Sequence, residues 1–126
     1  VVIVRRIGGS LAGVAAAVLV IMGIEAIGHR VTGAPAEPAQ ATPAMMAWVL
    51  VAWTVGTAFG ALVGVTLARW RGAAWFPAAL VLFGVIMTAL AIPSPWWLTV
   101  GGVVLPLLAA ALVSRQAGAA DQRVAL

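Results

Sequence analysis

Four long apolar runs constrain this chain more than any other feature. They are Ile7 to Gly28, Met45 to Ala68, Ala73 to Ile92 and Trp96 to Ser114, and Glu25 is the only charged residue within them. Uncharged apolar runs of about 18 residues or more are the signature of membrane-spanning helices. At about 1.5 Å of rise per residue the first run reaches about 33 Å as a helix, enough for a hydrocarbon core of about 30 Å. The last two runs are shorter, which favours a locally thinned bilayer or less tilted helices. The composition agrees: 64% of the residues are hydrophobic and 8% are charged, against about 45–50% and about 25% in soluble domains. The expected fold is therefore all-α, a polytopic four-helix transmembrane bundle. Its 126 residues form one transmembrane domain, cored by helix packing in lipid rather than by hiding apolar surface from water.

The linkers follow from proline and arginine. Residues 29–44 form an outer loop rich in proline and alanine, where Pro35, Pro38 and Pro43 oppose a continuous helix. Arg69-Trp70-Arg71-Gly72 reads as a tight basic turn, and Pro77 falls early enough in the third span to be tolerated. Pro93-Ser94-Pro95 separates the last two spans, and Arg115 to Leu126 is a polar tail. Arg5-Arg6, the apolar run behind them and Ala34-Pro35-Ala36 loosely imitate a secretory signal. The run is longer than a typical signal core, so a retained span is the expectation.

Orientation is read from the arginines. With four spans, Arg5, Arg6, Arg69, Arg71, Arg115 and Arg123 share one side and only Arg30 lies on the other. The positive-inside rule then places both termini in the cytoplasm. Trp48, Trp53, Trp96 and Trp97 fall toward the outer boundary and Trp70 and Trp75 at the inner one, as expected of interfacial anchors. Arginines flanking apolar spans are topology signals, so the lipid bilayer is the expected surround and nucleic acid is not an expected partner.

Two rows of small residues stand out at four-residue spacing. The second span carries Ala52, Gly56, Gly60, Gly64 and Ala68; the first carries Gly9, Gly13 and Ala17, continued by Ile21, Glu25 and His29. Small residues let helix backbones approach closely in lipid, either inside one bundle or between subunits. The expectation is that the first row packs on the second and carries Glu25 and His29 toward protein. A carboxylate and an imidazole four residues apart can hydrogen-bond along one face. One reading makes them a proton-titrating or cation-binding pair; the other has Glu25 pair with His29 or Arg30 and pin the helix end. Two side chains fall short of the three or four ligands of most metal sites, with Glu37 the one further candidate, so no metal is expected. Ser10, Thr54, Thr57, Thr66, Thr88 and Thr99 read as packing residues that bond to backbone. Pro106 should free a carbonyl near Gly102 and kink the fourth span.

Enzymatic chemistry is not expected. Cysteine, lysine and tyrosine are absent, and one histidine and three acidic residues would have to do all acid and base work. No catalytic residue and no cofactor is assigned.

Three stretches carry a resemblance: Gly23-Ile24-Glu25-Ala26-Ile27-Gly28-His29, the Gly56/Gly60/Gly64 row, and Ile92-Pro93-Ser94-Pro95-Trp96-Trp97. Together they resemble a group of small bacterial four-helix integral membrane proteins of unassigned function, over about residues 7 to 115. In that group a histidine often stands between the two prolines, where this chain has Ser94. The resemblance implies a four-helix fold, the topology above and a bacterial inner membrane, and it implies no activity. Small multidrug transporters also have four short helices with a glutamate in the first, but Glu25 lies too near its helix end for a midplane coupling site. Two functions are then expected in order. The first is an accessory or structural subunit that packs through its Gly/Ala faces into a homo-oligomer or a larger membrane complex, energy-converting complexes included. The second is a small oligomeric proton- or cation-coupled transporter or channel built on Glu25 and His29.

Overall fold

A computed structural model describes residues 1–33, 42–91 and 95–125, with side chains described through Gly118. Four α-helices make up the fold: α1 (Val2–Thr32), α2 (Pro43–Ala68), α3 (Trp75–Ala91) and α4 (Trp96–Ala125), with a 3-10 turn at Arg71–Ala74 ahead of α3. All four are long and apolar enough to cross a membrane, α3 together with its leading turn. Helices suit that medium because each satisfies its own backbone groups where no water can. The chain is an all-α four-helix bundle of the integral membrane type.

The helix ends have local causes. Thr42 caps α2, its hydroxyl accepting from the Met45 backbone N–H at 3.2 Å, and Pro43 follows at a first-turn position where no N–H is needed. At the end of α1, the Gly33 N–H donates to the His29 carbonyl at 2.9 Å, with Gly33 at φ +86°, a conformation open to glycine. α2 stops where Arg69 turns left-handed at φ 50° and ψ 42°, and Trp70 is extended. The expected basic turn is there, closed by the Ala73 N–H donating to the Trp70 carbonyl at 3.1 Å.

Two helices exceed their expected spans. α1 begins at Val2 and runs through Arg5 and Arg6, and its 31 residues reach about 46 Å. α4 continues past Ser114 through the segment expected to be a polar tail, because Arg115, Gln116 and Ala117 are all good helix formers. The remainder of the outer loop, with Glu37, and Ile92 to Ser94 lie outside the described residues.

α2 is the central helix. It packs on α1 along most of its length, on α4 across the bundle, and on α3 and the 3-10 turn. Trp53, Val81, Val85 and Leu98 form the core at one end of the bundle. Ala61, Ala74 and Val113 form it at the end where Arg6, Arg69 and Arg71 gather. Pro77 and Pro106 are fully buried.

Candidate functional site

The small-residue rows meet each other inside one chain. A β-carbon placed on Gly13 would lie 2.6 Å from the Gly60 carbonyl oxygen and 2.9 Å from the Gly64 Cα. One placed on Gly60 would lie 2.6 Å from the Ala17 Cβ and equally close to the Gly13 carbonyl oxygen. Gly9 abuts the Ala68 backbone, and Gly56 abuts Ile21 and the Ala17 carbonyl. Ala17, Ala52 and Ala68 are buried. Gly64 also faces the carbonyl oxygen of Ala73 in the 3-10 turn. The α1–α2 seam is therefore closed by backbone against backbone, and no pathway runs through it.

Glu25 and His29 do not continue that seam. A residue advances about 100° around a helix, so each step of four overshoots a full turn by about 40°. Five steps carry His29 about 200° from Gly9. The residues that stay in the seam follow a seven-residue progression instead: Ser10, Ala17, Ile21 and Gly28, all within about 20° of the direction of Ser10 by the same arithmetic. Gly28, not His29, packs on α2, with the Trp48 side chain 3.0 Å from where its β-carbon would stand. Glu25 is half-buried at the edge of the seam, and His29 and Arg30 are exposed. This corrects the inward placement expected of His29. Among the described residues, no three His, Asp or Glu side chains gather.

Beside Glu25 is a cleft of about 240 Å³ between α1 and α3. It is lined by Val18, Ile21 and Met22 from α1, by Leu80 and Phe83 from α3, and by Trp53. Glu25 lies one turn farther along α1 than Ile21 and Met22 and is not among the residues that line the cleft.

The tryptophans divide. Trp96 is exposed, Trp75 is partly exposed, and Trp48, Trp70 and Trp97 are half-buried. Trp53 departs from the expected belt. It is 8% exposed, packed among Val81, Val85 and Leu98, with its ring 2.7 Å from where a Gly102 β-carbon would stand. Gly102, one turn before buried Pro106, is the recess that admits the indole.

Two of the span hydroxyls bond to backbone as expected. Thr54 donates to the Leu50 carbonyl at 2.9 Å and Thr57 to the Trp53 carbonyl at 2.7 Å. Ser10 is different: its Oγ is buried and has no hydrogen-bond partner.

At the opposite end of the bundle from Glu25, the arginines do more than mark a side. The Arg6 guanidinium sits over the Trp70 ring, 5.1 Å from its centroid, a cation–π contact that ties the start of α1 to the α2–α3 turn. Phe76 meets the same indole edge-on at 6.1 Å. Beyond Trp70 opens a cleft of about 450 Å³ between α2 and α4. Arg69 and Arg71 both line it, with Thr66 and Gln116; Leu62, Val65 and Val113 line the remainder. Arg5 and Arg115 are exposed at this end. The sequence marks these arginines only as topology signals, since the convergence of two guanidinia on one cleft depends on the left-handed turn at Arg69.

No protein family matches this chain, and no curated protein or solved structure is detectably similar to it.

Proposed function

We propose that this chain is a small accessory or structural subunit of a bacterial inner-membrane assembly, with both termini in the cytoplasm. It joins either copies of itself or a larger complex, and it has no catalytic chemistry of its own. The observation that carries this reading is the two-sidedness of α1. Its small-residue arc is filled by α2. Its opposite arc is apolar and exposed, through Leu11, Val18, Leu19 and Met22, and ends at half-buried Glu25 and exposed His29. Lipid suits the apolar part of that arc. It suits the Glu25 carboxylate within the span poorly, because an ionisable group at membrane depth costs several kcal/mol unless a neighbour or water compensates it. A helix from another subunit would cover the arc and offer polar partners to both groups. The small-residue rows, occupied within the chain, are not the docking surface in this proposal.

The cleft between α1 and α3 beside Glu25 favours a second reading, oligomeric proton- or cation-coupled transport. Its lining is apolar and does not include Glu25, so the cleft gives an ion no side-chain ligand and the subunit reading ranks first. Native mass spectrometry of the protein, extracted gently from its own membrane, tests both. Co-purifying membrane subunits support the accessory role. A homo-oligomer without other subunits supports transport, if its flux is lost in Glu25→Gln. A lone monomer rejects both.

A further inference from the structure

We propose that the cleft between α2 and α4 at the arginine-rich end is a binding site for one anionic phospholipid. Arg69 and Arg71 hold its phosphate, and Leu62, Val65 and Val113 receive the adjoining acyl chain.

The placement of charge is the first argument. Arg69 ends α2 in a left-handed conformation, φ 50° and ψ 42°. A non-glycine residue holds that conformation at some cost, so the surrounding packing must enforce it. Trp70 next turns extended and is pinned from its far side by Arg6 and Phe76. The result puts the side chains of Arg69 and Arg71, two residues apart, into one cleft. Two arginine side chains lining one volume of about 450 Å³ suit the oxygens of a phosphodiester. Thr66 and Gln116 line the same cleft and add a hydroxyl and an amide. The charge balance also points to an anion: six arginines lie on this side of the sequence against one acidic residue, Asp121.

The second argument is the division of the cleft along the membrane normal. Its polar lining is at the end of α2, while Leu62 lies about two turns deeper into the span, beside Val65 and facing Val113 of α4. Leu62 is exposed, so the groove opens onto a lipid-facing apolar surface. A free phosphate would use only the mouth. A phospholipid uses both parts, and basic pockets between helices at the cytoplasmic face are suited to such headgroups. This inference is independent of the subunit proposal, since the cleft is at the other end of the bundle from Glu25.

The test uses the whole protein in lipid nanodiscs of phosphatidylcholine doped with phosphatidylglycerol, followed by release into the gas phase and counting of retained lipids. One phosphatidylglycerol should stay bound in preference to phosphatidylcholine. Arg69→Gln/Arg71→Gln should weaken that retention about tenfold or more, the loss expected of a charge-assisted hydrogen bond to phosphate. Arg5→Gln/Arg115→Gln removes the same charge from the same end without touching the cleft and should leave retention within about twofold. Equal loss in the two double variants would reduce the effect to general surface charge and overturn the proposal. Excess inorganic phosphate should not displace the lipid; full displacement would show that the mouth alone binds and would overturn the acyl-chain part. Helical circular dichroism and a monodisperse elution profile establish that each variant is folded. Arg71→Lys gives a further reading: retention reduced but measurable, because charge remains while the planar fork is lost.

Discussion

Gly13 and Gly60 touch backbone to backbone, each occupying the place where the other would carry a side chain. A β-carbon on either one would stand 2.6 Å from the carbonyl oxygen of the other. Neither carbonyl can swing away, because each lies within a regular helix. In lipid, where there is no hydrophobic drive to join helices, this approach distance is what holds α1 to α2 by dispersion and weak hydrogen bonds.

Gly13→Ala and Gly60→Ala should each therefore destabilise the bundle by about 1–3 kcal/mol, as overpacking of a close contact does. Gly23 and Gly84 provide the contrast, since nothing lies within 4 Å of their β-carbon positions. Gly23→Ala and Gly84→Ala should be neutral or stabilising by about 0.5–1 kcal/mol through helix propensity alone. Unfolding midpoints in mixed micelles of mild detergent and sodium dodecyl sulfate would rank the four variants. The packing argument fails if they cluster together.

Ser10 lies about one turn before Gly13 on α1, with its Oγ buried and unpartnered. A buried hydroxyl without a hydrogen bond is a net cost of about 1–3 kcal/mol. Ser10→Ala should accordingly leave stability unchanged or raise it. A clear loss of stability in that variant would mean that the hydroxyl has a partner in the membrane.

Trp53 and Trp96 should respond oppositely to truncation. Trp53 fills the recess above Gly102 and packs on Val81, Val85 and Leu98, so Trp53→Ala should cost about 3–5 kcal/mol. Trp96 is 77% exposed, and Trp96→Ala should leave the unfolding midpoint nearly unchanged while weakening partition at the interface. The same two residues differ in fluorescence: iodide in the aqueous phase should quench Trp96 and not Trp53.

Glu25 and His29 should separate fold from assembly. Neither is deep in the seam, so Glu25→Gln and His29→Ala should each preserve the folded monomer and its helicity. On the subunit proposal they should reduce co-purification with partners about 5- to 30-fold, because a hydrogen bond across helices in lipid contributes about 1–2 kcal/mol. Quantitative mass spectrometry of tagged protein from native membranes would measure this. Unchanged partner recovery in both variants would remove α1's outward face from the proposal.

The number of helices and their membrane-spanning nature were legible in the sequence. They depend on local properties, the length of apolar runs and the positions of proline and arginine. The tight turn at Arg69 to Gly72 was legible for the same reason. So was the existence of a close small-residue contact, since spacing of four marks a helix face whatever that face meets.

Only the tertiary structure decided what each face meets. Spacing of four was extended from Gly9 to His29 as though it kept one direction, but a drift of about 40° per step turns the row around the helix. Ser10, Ala17, Ile21 and Gly28 stay in the seam, and His29 leaves it. Trp53 has the composition of an interfacial anchor and the surroundings of a core residue, because Gly102 on another helix makes room for it. Arg69 and Arg71 are two topology signals in one dimension and a single cleft in three. In each case the deciding contact comes from another helix, twenty or more positions away in sequence, which local pattern does not encode.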